Sequence, residues 1–241
     1  MRRAVAFLTL FGSASAPTPT TFVWFPVVGG AIGAAVGGVW WAASRGWSPL
    51  LAATLAVVAD LVLTGLLHLD GLIDSADGLL APMTRSRRLA AMADPAAGAF
   101  GVASAVAVLA LRVGALASVR PTVLAVAGIW CASRTLMVAM TWALPYARSG
   151  GLVTNFLGAG SRGGALRVAV ASSMVVGMVL AGAALVWSRG ARGWWSLVAE
   201  VLAVAAVGLV SWRRIGGYTG DVLGAAGVLG ETCALVVLAW R

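Results

Sequence analysis

The stretch from His68 to Leu79, His-Leu-Asp-Gly-Leu-Ile-Asp-Ser-Ala-Asp-Gly-Leu, holds three of the eight carboxylates in the chain. Asp70, Asp74 and Asp77 follow at i, i+4 and i+7, so a helix sets all three on one face. Adjacent carboxylates repel one another, and beside a bilayer that repulsion is costly unless a cation offsets it. Mg²⁺ suits the task, because it takes oxygen ligands and shares its shell between carboxylates, waters and substrate phosphates. These three acids are the candidate metal ligands. A merely solvated acidic helix would mix in Lys or Glu, whereas this segment is otherwise apolar and punctuated by glycine. His68, the single histidine, stands two residues before Asp70 and is a candidate for proton transfer. A structural hydrogen-bonding role is the alternative. Asp60, Thr64 and His68 follow at four-residue steps, a polar stripe pointing toward the same end, with Asp60 a supporting or helix-packing group.

Three further groups carry possible chemistry. Asp94, before Pro95, reads from its residues alone as a turn or helix cap. Arg134 lies inside a long apolar run, where an arginine is expensive and has to pair with a carboxylate or a phosphate; Pro145-Tyr-Ala-Arg148 follows it. In Gly216-Gly217-Tyr-Thr219-Gly-Asp221 the glycines free backbone amides to approach an anion, and Asp221 offers another metal ligand. Glu231, farther along the same apolar run, is either a substrate-side acid or the partner of an intramembrane arginine. Metal, arginines and flexible amides together equip a site for phosphoryl or nucleotidyl transfer.

These residues need elements to position them, and the composition says which. Of 241 residues, 61% are hydrophobic and 10% charged, against roughly 25% charged in soluble domains. The expected fold is all-α: a polytopic integral membrane protein, a single catalytic domain over 1–241, with about seven transmembrane helices. Spans are expected near 22–43, 50–68, 99–118, 122–144, 166–187, 194–212 and 222–240. Gly29, Gly33 and Gly37 recur in the first of them and read as a close helix-packing stripe. Arg2-Arg3, the apolar run Ala4 to Phe11 and Ala14-Ser15-Ala16 imitate a secretory signal; a short interfacial helix is the other reading.

All 17 basic residues are arginines, and the net charge is +9. They stand singly or in small groups between apolar runs, which argues for membrane topology rather than nucleic-acid binding. With seven spans, ten loop arginines fall on the side of the N-terminus and five on the other. The richer side faces the cytoplasm, and it carries the second, fourth and sixth loops, where the polar motifs lie. Cys131 and Cys233 sit alone in apolar stretches and read as packing residues.

The segment HLDGLIDSADGL closely resembles the hallmark of the cobalamin synthase family, the adenosylcobinamide-GDP ribazoletransferases. Trp24-Phe25-Pro26-Val-Val-Gly29, Met92-Ala-Asp94 with Gly98-Ala-Phe-Gly101, Ser133-Arg134, Tyr146-Ala-Arg148 and Gly216-Gly-Tyr-Thr-Gly-Asp221-Val-Leu-Gly-Ala225 are similar to further family motifs in the same order. The resemblance implies Mg²⁺-dependent transfer of adenosylcobinamide phosphate from adenosylcobinamide-GDP to α-ribazole or α-ribazole 5′-phosphate, releasing GMP. The acceptor's 5′ oxygen is expected to attack. His68, Asp70, Arg134 and Arg148 are the implied catalytic residues, with Mg²⁺ on Asp70, Asp74 and Asp77. Asp94, Gly216, Gly217, Thr219, Asp221 and Glu231 are implied to bind substrate. The implied location is the bacterial inner membrane, among lipid, with the active face cytoplasmic and self-association left open. Val228 stands where the family usually has an acid, Leu10 where it often has Arg, and Pro95 where Ser is common. A CDP-alcohol-type phosphotransferase lacks support, because its Ala-Arg after Asp70-Gly71 is missing. An ion-coupled transporter would place its carboxylates near mid-span.

Overall fold

Segments apolar on every face must satisfy their backbone internally in lipid, which makes them helices. The computed structural model describes residues 1–11, 18–148 and 164–240, and among these the regular structure is helical, with one isolated pair of bridged residues. A short α1 (Arg2–Leu8) precedes a 3-10 helix (Pro19–Trp24) that runs into α2 (Phe25–Ala43). Next come α3 (Pro49–Leu63), α4 (Leu67–Leu80), the short α5 (Arg85–Ala91), α6 (Ala99–Ala117) and α7 (Val123–Ala143). The last three are α8 (Gly164–Arg189), α9 (Ala191–Ile215) and α10 (Gly220–Leu238). Six helices are long and apolar enough to cross a membrane, and counting the bent pair α3–α4 as one crossing makes seven. The protein is a multi-pass membrane protein. α7 and α10 form its interior, with 72% of each apolar window buried against 22% for α8. Val175, Val179 and Val168 of α8 stand outward, as lipid-facing side chains do.

The glycine stripe packs as its spacing predicts. A Cβ on Gly29 would come 2.5 Å from the Trp130 carbonyl oxygen, and one on Gly33 2.6 Å from that of Val126. The α2 backbone therefore lies directly against α7, and Gly29 also touches the stem of Arg134.

The expected span over 50–68 is not one helix. The chain leaves α3 through Gly65 and Leu66, both left-handed at φ 59° and 62°, and α4 departs at 89° to α3. At about 1.5 Å per residue, α3 alone is shorter than a bilayer core. The stripe of Asp60, Thr64 and His68 is thereby interrupted, though all three still border one small interior space. The N-terminal segment is an embedded helix: Ala4 and Leu8 of α1 are fully buried, and the Leu10 amide donates to the Leu63 carbonyl beside the bend. Ala14-Ser15-Ala16 and Arg162 lie outside the described residues.

Candidate active site

α4 packs against the start of α10 because both carry glycine at the crossing. A Cβ on Gly71 would sit 2.7 Å from the Asp221 carbonyl oxygen, and one on Gly224 3.3 Å from the His68 Cα. This close approach brings the α4 carboxylates to the first turn of α10. Asp70 is exposed and Asp74 and Asp221 are half-buried. Asp74 lies within electrostatic reach of Asp70, Asp221, Asp77 and Arg148.

Two loops hold Arg148 there. α9 ends at Gly216, left-handed at φ 79°, and the chain then pairs with the segment after α7. The Tyr218 amide donates to the Pro145 carbonyl at 2.9 Å, and the Ala147 amide to the Tyr218 carbonyl at 2.8 Å. Gly217 is required at this junction, since a Cβ would fall 2.0 Å from the Pro145 oxygen. Thr219 caps α10 by accepting from the Val222 amide. Arg148 consequently reaches the Asp221 carboxylate at 3.1 Å and the Met92 carbonyl at 3.1 Å. The edge-to-face rings of Tyr146 and Tyr218 back the junction, and burial pushes the Tyr218 phenol up to about 12.

A cavity of about 270 Å³ opens at this place. α4 and α10 contribute His68, Asp70 and Asp221, and Arg148 borders it after α7. α1, the 3-10 helix and α2 contribute Phe7, Phe22 and Phe25. His68 is buried, and neither ring nitrogen has a hydrogen-bond partner.

The remaining expected site residues fall elsewhere. Asp77, on the acidic face of α4, accepts from the Gly98 amide at 2.7 Å and the Gly101 amide at 2.9 Å, so it caps α6. Asp94 is exposed and accepts from the Ala96 amide, the turn its sequence suggests. Among the described residues no three His, Cys, Asp or Glu side chains converge as a ready-made metal cage. Mg²⁺ typically takes one or two protein carboxylates and fills its shell with water and phosphate oxygens, so Asp70 and Asp221, which border the cavity, with Asp74 beside them, are the residues that would hold such an ion.

Arg134 and Glu231 lie in the interior. Glu231 bridges Arg134 and Arg112, and Arg112 also holds Asp60 at 2.8 Å. The Trp130 indole donates to the second Asp60 oxygen at 2.9 Å, and Thr232 accepts from Arg112 at 2.9 Å. Of the two readings of Glu231, the geometry has the ion pair. Two arginines and two carboxylates from α3, α6, α7 and α10 cancel one another, which is what burial of charge in a membrane requires. Arg112 was missed in the sequence, although it is a lone arginine within a span, the same signal that singled out Arg134. Val228 completes this picture: its carbonyl accepts from Arg112 and its side chain packs with Leu69 and Leu72, so the quartet balances without an acid there.

The basic loops gather at the end that holds the acids. The Arg85 guanidinium lies 3.5 Å from where a Gly216 Cβ would be. Arg88 donates to the Gly78 and Leu79 carbonyls, and burial together with the nearby charge of Arg214 lowers its pKa.

Comparison with known proteins adds to this geometry. The family model described as cobalamin-5-phosphate synthase matches residues 1–239. The adenosylcobinamide-GDP ribazoletransferase of Chlorobaculum tepidum is 37% identical over 229 residues, covering 91% of this chain and 85% of its own length. The enzymes of that name from Bradyrhizobium diazoefficiens and Citrobacter koseri are 36% and 33% identical, covering 89% and 90% of this chain and 80% and 86% of their own lengths. No solved structure matches.

Proposed function

From the premise that the chain belongs to the cobalamin-5-phosphate synthase family, and is thus a membrane transferase of the final step of cobalamin biosynthesis, we propose the following reaction. It moves adenosylcobinamide phosphate from adenosylcobinamide-GDP to α-ribazole or α-ribazole 5′-phosphate and releases GMP. The observation that carries this reading is the meeting of Asp70, Asp221 and Arg148 at one cavity, because it joins acids and a guanidinium from three separate segments.

An acceptor hydroxyl oxygen attacks the cobinamide-side phosphorus; a new P–O bond forms, the bond to the GMP oxygen breaks, and the hydroxyl proton leaves. The 5′ oxygen expected from the sequence does not suit the phosphorylated acceptor: a product named cobalamin 5-phosphate keeps its phosphate at that position, so another ribose hydroxyl attacks. Asp70, or His68 with its unpartnered ring, accepts the proton. Arg148, already held at the mouth by Asp221, orients a phosphate oxygen by its planar fork. Arg134 supports the site from within, through the quartet, instead of meeting the leaving group. Mg²⁺ on Asp70, Asp74 and Asp221 would offset the charge of the pyrophosphate. Asp77 holds α4 against α6. The reaction runs at the inner membrane with lipid around the spans, and the acids face the cytoplasm, as the arginines gathered at their end favour.

The test is direct. Detergent-purified protein, adenosylcobinamide-GDP, α-ribazole and Mg²⁺ should yield a cobalamin and GMP in equal amounts, and EDTA should stop it. No cobalamin from correctly folded protein with either acceptor would overturn the reading.

A further inference from the structure

A groove of about 410 Å³ opens between α6 and α9, with α4 and α10 behind it, and no acid of the site borders it. Leu72, Ala76 and Leu79 line it from α4. On a helix these positions lie opposite Asp70, Asp74 and Asp77, so one face of α4 serves the acids and the other the groove. The lining is almost wholly apolar, and Ala107, Ala206 and Val210 at its rim are exposed. One end of the groove is strongly basic. Arg88 donates to the carbonyl of Leu79, a lining residue. Arg214 lies near enough for its charge to act on Arg88, and it follows Val210 by one turn on the same face of α9. Arg213 adjoins it, and Arg85 stands beside Gly216, just past the end of α9. Arg85, Arg213 and Arg214 are exposed, and among the described residues no carboxylate pairs with any of them.

We propose that this groove binds one phospholipid with an anionic headgroup. An acyl chain lies along the apolar lining, and the headgroup phosphate meets Arg85, Arg213 and Arg214. Charge selects the occupant: unpaired guanidiniums at the end of a groove open to lipid attract an anionic headgroup and hold its phosphate oxygens by charge-assisted hydrogen bonds. A headgroup without net charge gains far less from them. The depth agrees. Val210 and Ala206 lie one and two turns from Arg214, about 6 and 12 Å along the helix, where the part of a chain nearest its headgroup runs. A chain seated there packs on the back of the acidic helix and holds it in place, so the lipid acts as a structural partner of α4. The inference does not depend on the assigned reaction, because the groove and its arginines are separate from Asp70, Asp221 and Arg148.

Native mass spectrometry of the full chain, stripped of lipid in detergent and titrated with dioleoyl-phosphatidylglycerol, tests this. One molecule should bind saturably, and dioleoyl-phosphatidylcholine should bind at least about tenfold more weakly. Glycerol 3-phosphate, which has the phosphate and no chains, should neither bind nor displace the lipid. Ala107→Phe and Ala206→Phe fill the groove from exposed positions, and each should weaken phosphatidylglycerol binding about tenfold. Val176→Phe, at an exposed position on the separate groove between α2, α7 and α8, should leave it unchanged. Arg213→Gln and Arg214→Gln should each weaken phosphatidylglycerol about fivefold and leave phosphatidylcholine as it was. Equal binding of the two lipids, saturable binding of glycerol 3-phosphate alone, or full binding in both groove-filling variants overturns the inference. So does a dimer of the stripped protein that Ala107→Phe splits, since a second copy would then cover the groove. No readout uses turnover, so failure here leaves the assigned reaction standing, and a failed reaction leaves the lipid site standing.

Discussion

Replacing Glu231 by Gln keeps the size of the side chain and removes one charge from the interior quartet. The hydrogen-bonded quartet, whose members are at most 6% exposed, would then carry a net positive charge, with Asp60 still bonded to Arg112 and the fully buried Glu200 of α9 the other acid in reach of Arg134. Breaking a buried pair by neutralising one partner costs about 3–5 kcal/mol. For a chain of this size each kcal/mol is worth about 2–4 °C, so the apparent Tm should fall by about 6–20 °C. The two native thiols provide the assay: Cys131 is buried and Cys233 partly so, and a thiol-reactive fluorophore reports their exposure on heating in detergent. The decisive variant is the double one. Glu231→Gln with Arg134→Gln restores neutrality and leaves the Asp60–Arg112 pair, so it should regain roughly half or more of the lost Tm. A single variant as stable as wild type, or a double variant no better than the single, would refute the charge-balance argument. A stable double variant that has lost turnover would instead give Glu231 or Arg134 a role toward substrate.

Asp70→Asn and Asp221→Asn should each abolish turnover without lowering the Tm, whereas Asp77→Asn should cost about 1 kcal/mol through its lost cap on α6 and keep activity; an inactive but fully stable Asp77→Asn would return it to the metal site. Gly33→Ala must push α2 off the Val126 carbonyl and should destabilise by about 1–3 kcal/mol, read by the same thiol assay, with an unchanged Tm counting against the close packing. In a background without Cys131 and Cys233, Ser188→Cys should react with an impermeant thiol reagent in intact cells and Ser86→Cys should not. The reverse pattern, Ser86→Cys labelled and Ser188→Cys protected, would mean that α3 and α4 together do not make one crossing. Labelling of both would mean that α6, α7 and α8 are not three crossings.

The spans were legible because hydropathy alone decides them, and the acidic face of α4 because i, i+4, i+7 spacing survives in any helix. The bend was not. The run from 50 to 68 is apolar apart from Thr54, Asp60, Thr64 and His68 and holds no proline, and Leu66 in a left-handed conformation contradicts what its residue type favours. Asp77 was placed on the correct face, but its partners are backbone amides 21 and 24 residues away, invisible to any local pattern. The aromatic lining has the same origin: Phe7, Phe22 and Phe25 belong to three segments with no common period. Arg112 could have been found, since a charge alone in a span demands an opposite one, and Asp60 and Glu231 stood ready in neighbouring runs.

The quartet also sets a timetable for biogenesis. Arg112 follows Asp60 by 52 residues, so its first carboxylate precedes it into the membrane. Glu231 trails Arg134 by 97 residues, about 5–20 s of synthesis at common elongation rates. Through that interval the Arg134 guanidinium of α7 lacks its hydrogen-bonded carboxylate, with Asp60 and later Glu200 the acids in reach, and the arrival of α10 completes the pairing. A ribosome that stops short of α10 therefore leaves behind a chain whose central helix is poorly suited to lipid, a defect that a membrane protease could read without ever testing for activity.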